Sequence, residues 1–471
     1  MVFKTDSEQR RPGAVMNAGR EVAIRRNTLL GGGRREGFIR SWQNSLIFTG
    51  LFVLSLLLTL HLKLGLIVAV GSGLLITALL KPKLVYLLLL SLLSIEGFAA
   101  FTNVSYPKIA ALLLVAGLAL RFALTKEAIP GDSSYKYFFL FFLGGLVSFA
   151  VAKDLNLSIS MYIVYLSLFF LYLFTRYFLR SIEDIQTALN YIFASTLLIY
   201  VFMQFMGLSV RGNASVRISS GMGDPNAYAA YISVLIPLVI YRIMNVKGNA
   251  VLLYWACLVG FLSLMVLTGS RGGILGFAGM ASVLIYYYTM GRLRQMIIFV
   301  TCAALIVYLF APEEYWTRLA TILNPELEKN ASISYRMESY RAALKMFLDN
   351  PLTGVGLYNF KLLSPGYNVI GGKVVHNMYL EILSGGGLLS FVPFFLILVD
   401  TWRKLSTANS MDKNTRDLLI CLKAAFVSFL ITSCFLSSDH EKILWFLLAL
   451  CSSAYYISLN RRVLSGSKAQ A

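Results

Sequence analysis

Residues 249–273 read NAVLLYWACLVGFLSLMVLTGSRGG. From Ala250 to Thr268 there is no charged side chain. An apolar run of ~20 residues is the length a helix needs to cross a bilayer. The run stops at Gly269-Ser270-Arg271-Gly272-Gly273, and a second apolar stretch, 272–290, follows at once. A span, a glycine-rich corner carrying a cation, then another span is the pattern of an all-α, polytopic transmembrane helical bundle.

Working outward, similar apolar runs fall near 46–62, 64–80, 84–101, 107–124, 136–152, 157–175, 186–206, 226–243, 295–311, 376–399, 417–437 and 441–459. They predict about 12–14 spans. Composition agrees: 57% of the 471 residues are hydrophobic and 14% are charged, against about 25% charged in soluble domains. Little soluble mass is expected. The opening residues are basic and polar, and the first apolar run is long and lacks a cleavage site, so no signal peptide is expected.

The net charge is +19. Lys and Arg are scattered between spans, which argues against nucleic acid and for cytoplasmic loops and contact with membrane lipids. With the N-terminus inside, the inner loops hold Lys81/Lys83, Arg121/Lys126, Arg176/Arg180, Arg242/Lys247, Arg292/Arg294, Arg403/Lys404 and Arg461/Arg462. Every inner loop is then basic, as the positive-inside rule requires. Both termini are expected in the cytoplasm. The expected organisation is a basic cytosolic tail (1–45), N-terminal transmembrane helices (46–206), a core (207–400) and C-terminal transmembrane helices (401–471).

The largest outer loop, 312–375, is too long for a simple connector and should be structured. Within it Ile333, Met337, Tyr340, Leu344, Phe347 and Leu348 recur at helical spacing. Ser332 or Ser334 is placed to cap that helix, Asn350-Pro351 to end it, and Gly354-Val355-Gly356 to turn the chain tightly. The five cysteines, Cys257, Cys302, Cys421, Cys434 and Cys451, lie in or beside apolar runs without metal-ligand spacing. They read as small apolar residues.

On the outer side sit the residues that carry chemistry. Arg271 opens a span beside two glycines. A helix N-terminus is itself positive, so an arginine there is relieved by a bound anion such as a phosphate; snorkelling to headgroups is the plainer reading. Arg336 and Arg341 lie on the loop helix, either as a solvated face or as a second anion clamp. His376 is placed at the start of a span, where the protonated form is disfavoured. A neutral imidazole there is a candidate general base toward a hydroxyl, with a hydrogen-bonded structural histidine as the alternative.

Asp439 shares that side with His440, as an acceptor-orienting group or as a solvated loop carboxylate. Arg217 precedes Asp224-Pro225-Asn226, where Asp224 suits a helix cap and Pro225 the first helical position. Arg217 is a further candidate anion ligand. Nucleotide-binding, zinc-protease and nucleophile-elbow motifs are absent from the sequence, and no metal-ligand cluster or outer acidic pair stands out. No cofactor or metal is expected; arginines would supply the electrostatic stabilisation.

An ordered series of motifs resembles the O-antigen ligase and polymerase family of bacterial membrane glycosyltransferases. It runs from Arg217 and Asp224-Pro225-Asn226-Ala227-Tyr228 through Gly269-Ser270-Arg271-Gly272-Gly273 and Ser334-Tyr335-Arg336 to Asn350-Pro351-Leu352-Thr353-Gly354-Val355-Gly356. It closes with His376-Asn377-Met378-Tyr379-Leu380-Glu381 and Gly385-Gly386-Gly387. The resemblance implies an undecaprenyl-pyrophosphate-linked glycan donor, a glycan or lipid A-core acceptor, and a site on the periplasmic face of the inner membrane. It implies that Arg271 and Arg336 hold the pyrophosphate, that His376 activates the acceptor hydroxyl, and that the linkage inverts. Asp439 and Arg341 are candidates to orient the acceptor. A flippase or exporter of a lipid-linked or anionic solute is the alternative, and it predicts ionisable residues at mid-membrane or broken spans in matching halves.

Overall fold

Backbone N–H and C=O groups in hydrocarbon must be satisfied inside the protein, and helices do this along their own length. The computed structural model describes residues 73, 76–93, 106–125, 127–205, 218–219, 222–288, 301, 316, 332–369, 372, 374–406 and 412–469. The chain divides into two compact units, Met1–Pro82 and Lys83–Ala471. The helices that matter here belong to the second. The expected tail 1–45, the run 46–62, the run 295–311 apart from residue 301, and Arg217 lie outside the described residues.

The described helices are α1 (Pro82–Ser91), α2 (Tyr106–Thr125), α3 (Tyr135–Val147), α4 (Leu155–Phe178), α5 (Ile182–Phe205), α6 (Pro225–Asn245) and α7 (Ala250–Thr268). They continue with α8 (271–288), α9 (Ser332–Asp349), α10 (Met378–Leu405), α11 (Lys413–Thr432) and α12 (Lys442–Ala469). No strand occurs among the described residues. Seven of these helices, α4 to α7 and α10 to α12, are long and apolar enough to cross a membrane. The protein is a polytopic helical membrane protein.

Caps set several helix starts. Asp224 accepts from Asn226 N at 2.7 Å, with Pro225 in the first turn of α6. Asp154 accepts from Asn156 N at 2.9 Å to start α4. Asp412 accepts from Thr415 N at 3.1 Å, so α11 begins before the apolar run that marks it in sequence. Helix α10 likewise runs on to Leu405, past the expected end at 399. The expected loop helix is α9; it starts at Ser332, which makes Ser334 an interior residue and not a cap.

Helix α6 is central and packs against α7 and α11; α3 packs on α10, and α4 on α12. Small residues let backbones approach where apolar burial alone does not drive association. A Cβ on Gly144 of α3 would sit 2.2 Å from the Leu389 carbonyl oxygen of α10, and one on Gly276 of α8 would sit 2.2 Å from Thr432 Oγ1 of α11.

Helix α10 is broken at Gly387 (φ 58°, ψ −162°). The loop after α9 fills the break. Leu388 N donates to Pro351 O at 2.9 Å, Leu389 N to Leu352 O at 3.1 Å, and Val355 N to Ser384 O at 2.9 Å. Gly354 (φ +62°) and Gly356 (φ +96°) make the tight turn expected from the sequence, and a Cβ on Gly354 would meet Ser384 O at 2.4 Å.

At the opposite end of these helices, Asp132 is fully buried. Lys404 Nζ lies 2.6 Å from Asp132 Oδ1 and Arg176 Nε 3.0 Å from Oδ2. Tyr172 Oη and Ser452 Oγ donate to Oδ2 at 2.6 and 2.5 Å. Lys404 also meets Asp400 at 2.9 Å, and the Arg176 guanidinium lies over the Tyr456 ring. Burial alone would raise the Asp132 pKa, but the Lys404 charge and these hydrogen bonds outweigh it and hold the carboxyl below its usual range. Two cations and two carboxylates thus close α3, α4, α10 and α12 into one neutral knot.

Two outcomes follow for stability. Asp132→Ala strands Arg176, leaves Lys404 paired with Asp400, and should destabilise the protein by about 3–5 kcal/mol, read as a lower midpoint in detergent thermal unfolding. Gly144→Leu should cost at least about 1–3 kcal/mol through overpacking, whereas Gly366→Ala, with no atom near its Cβ, should leave the midpoint unchanged.

Candidate active site

Three segments meet around the turn that joins α11 to α12. The first is the corner before α8. Gly269 adopts the left-handed conformation (φ 57°) that ends α7, and the next helix begins at Arg271. Ser270 Oγ accepts from Gly273 N at 3.2 Å and donates to Asn226 Oδ1 at 3.0 Å. The N-termini of α6 and α8 are therefore side by side. Thr432 Oγ1 donates to Gly272 O at 3.4 Å, and a Cβ on Gly272 would meet Phe435 Cβ at 3.2 Å. Arg271 is half-buried here.

The second segment is α9. Its inner face, Ala342, Ala343 and Met346, packs with Val355, Phe360, Val369 and Val375. Tyr340 Oη lies within hydrogen-bonding distance of two carbonyls, Cys434 O at 3.1 Å and His376 O at 3.3 Å. Burial raises the Tyr340 pKa, and the nearby Arg336 charge partly offsets this. Arg336, one turn before Tyr340, is half-buried, while Arg341 is exposed on another face. Arg336 thus shares a helix with Tyr340, which meets the His376 carbonyl, and Arg341 is on the surface.

The third segment is His376 itself. It does not open α10, as expected, but lies two residues before it. Asn377 is the cap, accepting from Tyr379 N at 3.0 Å and Leu380 N at 3.1 Å. His376 has φ 58°, left-handed for a residue with a side chain. Such strain persists only where surroundings over-determine it, and it clusters at functional sites. Here the surroundings are explicit: His376 N donates to Ser437 Oγ at 3.0 Å, His376 O faces Tyr340, and Asn377 Nδ2 donates to Cys434 O at 3.0 Å.

Beyond Ser437 the site turns acidic. Ser437 Oγ donates to Glu381 Oε2 at 2.7 Å, and Val375 N to the same oxygen at 3.3 Å. Asp439 is fully buried, not a solvated loop carboxylate. Tyr165 Oη donates to Asp439 Oδ2 at 2.5 Å, His440 Nδ1 lies 3.6 Å from that oxygen, and Trp445 Nε1 donates to Asp439 O at 2.9 Å. Asp439 Oδ1 has no hydrogen-bond partner among the described residues. Tyr358, a second left-handed residue (φ 62°), sets its ring edge-on to His440. Burial alone would lower the His440 pKa, but the Asp439 carboxylate, with Glu441 and Glu381, lifts it from 6.5 to about 9.

The arrangement has a cationic side and an acidic side. The N-termini of α6 and α8 each contribute about half a positive charge, and Arg271 and Arg336 add whole ones. That side is suited to an anion with several oxygens. Among the described residues no group of His, Cys, Asp and Glu could hold a metal ion. Sequence reasoning missed Tyr340, Ser437 and Glu381 as parts of the site; only Glu381 carried a signal, as an acid in the first turn of a span.

Residues 256–395 match the family model described as O-antigen ligase. Over that stretch the chain is similar to the O-antigen ligase family. Arg271, Arg336 and His376 all lie inside the matched stretch. The chain is also 26% identical, over 328 residues, to the teichuronic acid biosynthesis protein TuaE of Bacillus subtilis (strain 168). That alignment takes in 63% of this chain and 66% of the relative, just under two thirds of its length.

The ion pair at His440 has a pH signature. Its pKa is raised on folding, so its contribution to stability is whole below about pH 6.5 and is lost as pH rises through about 9. Thermal midpoints of the wild type should therefore fall between these values relative to His440→Gln, whose profile should be flatter.

Proposed function

We propose that this protein is a membrane glycosyltransferase that moves a glycan from undecaprenyl pyrophosphate to an acceptor hydroxyl at the periplasmic face of the bacterial inner membrane. The observation that carries the reading is the convergence of the Arg271 corner, the Arg336 helix and the strained His376 turn on residues 432–437. In this reading Arg271 and Arg336 bind the pyrophosphate, with Arg217 as a further ligand. Their charge meets the negative charge that grows on the leaving group, without a metal. His376 takes the proton from the acceptor hydroxyl as its oxygen attacks the anomeric carbon. The bond to pyrophosphate breaks on the opposite face, so the linkage inverts. Asp439 and Arg341 orient the acceptor.

An apolar groove between α3 and α10, lined by Leu140, Leu143, Gly144, Val147, Leu388, Leu389, Val392 and Pro393, offers about 420 Å³ to the hydrocarbon of the carrier. The likeness to a teichuronic acid biosynthesis protein supports polysaccharide assembly as the setting. An exporter built on broken spans would have them in matching halves. Among the described residues α10 alone has a non-helical break, and a loop of the protein itself fills it.

The test is the pool of lipid-linked glycans in a strain lacking the gene, restored with wild type or with His376→Ala. Loss of a general base should lower transfer about 10²–10⁴-fold, so the variant should accumulate carrier-linked glycan like the deletion. Full-length polymer on the carrier marks a ligase, and single repeats mark a polymerase. Normal transfer by His376→Ala removes the base role, and an unchanged pool in the deletion strain removes the transferase.

A further inference from the structure

We propose that Glu381 is a positioning residue that sets the geometry of His376 through Ser437. The inference rests on the base role of His376 proposed above. The relay is short and closed. The Glu381 side chain, 7% exposed, offers one oxygen, Oε2, to two donors: Ser437 Oγ at 2.7 Å and Val375 N at 3.3 Å. Ser437 in turn accepts the N–H of His376 at 3.0 Å. One carboxylate oxygen therefore fixes the two peptides that flank Val375, the 374–375 peptide directly and the Val375–His376 peptide through a hydroxyl.

The backbone of His376 needs this hold. A side-chain-bearing residue at φ 58° is strained, and relaxing it would swing the imidazole away from wherever α10 and the α8 corner have placed the substrate. The helical hydrogen bond of Glu381 N reaches back only to Asn377 O, at 2.9 Å, and the chain at 376 has already left α10. Hydrogen bonding from the first turn of α10 back to the preceding residues replaces the helical constraint that His376 lacks. Ser437 is the point where α10 and the α11–α12 turn share this task. Tyr340 completes it from the other side, at the His376 carbonyl.

Acceptance of hydrogen bonds, not charge, is what the relay asks of Glu381. Glutamine keeps a carbonyl oxygen at the end of the same chain and can serve both donors; alanine serves neither. A displacement of the reacting group of about 1 Å is worth about 100-fold in rate. In purified protein with a lipid-linked glycan donor and its acceptor, Glu381→Ala and Ser437→Ala should lose turnover about 10–100-fold, with the KM for donor kept within about twofold because the arginines are intact. Glu381→Gln should restore turnover to within about threefold of wild type. Folding is read separately from yield and thermal midpoint.

Glutamine as poor as alanine would overturn the proposal in favour of a direct role for the carboxylate charge. Full turnover in Glu381→Ala, or a loss matched by the loss of folded protein, would also overturn it. His376→Ala is measured alongside. If it is inactive while Glu381→Ala and Ser437→Ala are normal, the relay alone fails. If His376→Ala is active, the base role fails first.

Discussion

The break in α10 at Gly387 is the constraint on which the rest of this structure depends. A helix that stops inside a bilayer leaves carbonyls and amides that water cannot reach. Here the Pro351–Val355 loop supplies the missing partners, with its carbonyls at Leu388 and Leu389 and its own amide at Ser384. That satisfaction has a geometric consequence: it fastens the end of α9 to the membrane bundle. Once α9 is fastened, Tyr340 stands over the His376 carbonyl, with Arg336 one turn earlier on the same helix. The loop that carries the second arginine is therefore part of the bundle's own hydrogen-bond accounting, not a lid laid over it.

The glycines make this arrangement possible. At Gly354 and Gly387 the backbone is left-handed and another backbone lies where a Cβ would be. No other residue satisfies both demands. At Gly272 and Gly273 the demand is for space alone: a Cβ there would press on the Phe435 and Ala229 side chains. The two glycine-rich motifs are thus packing devices that bring an arginine corner and a histidine turn to one place, the residues joining α11 to α12.

Much of this was legible in the sequence. The apolar runs marked the helices, Asp224-Pro225 marked the start of α6, Asn350-Pro351 the end of α9, and Gly354-Val355-Gly356 the turn. Each is a local rule of backbone geometry, so local sequence carries it. The tertiary partners were not legible. Nothing in the spacing of Tyr340 and Cys434 announces that a hydroxyl and a carbonyl meet across 94 positions, nor that Ser437 bridges His376 and Glu381. Burial was also misread at Asp439, because a carboxylate between two spans looks solvated until Tyr165 and Trp445 close over it. The start of α10 was misplaced by two residues because an asparagine cap after a histidine is weaker in pattern than the apolar run behind it.

The two ends of the bundle treat charge in opposite ways, and the contrast separates stability from chemistry. Around Asp132, cations and carboxylates are equal in number and paired, so that end is electrically balanced. At the His376 end the charges are sorted. The Arg271 corner gathers the N-termini of α6 and α8, Glu381 and Asp439 lie beyond Ser437, and Asp439 Oδ1 is left without a hydrogen-bond partner among the described residues. Sorting like charges costs stability, and proteins tolerate it where a ligand completes the arrangement. An anionic leaving group on the cationic side and an acceptor hydroxyl between the two sides would complete this one, with the saturated Asp132 knot holding the helices in place meanwhile.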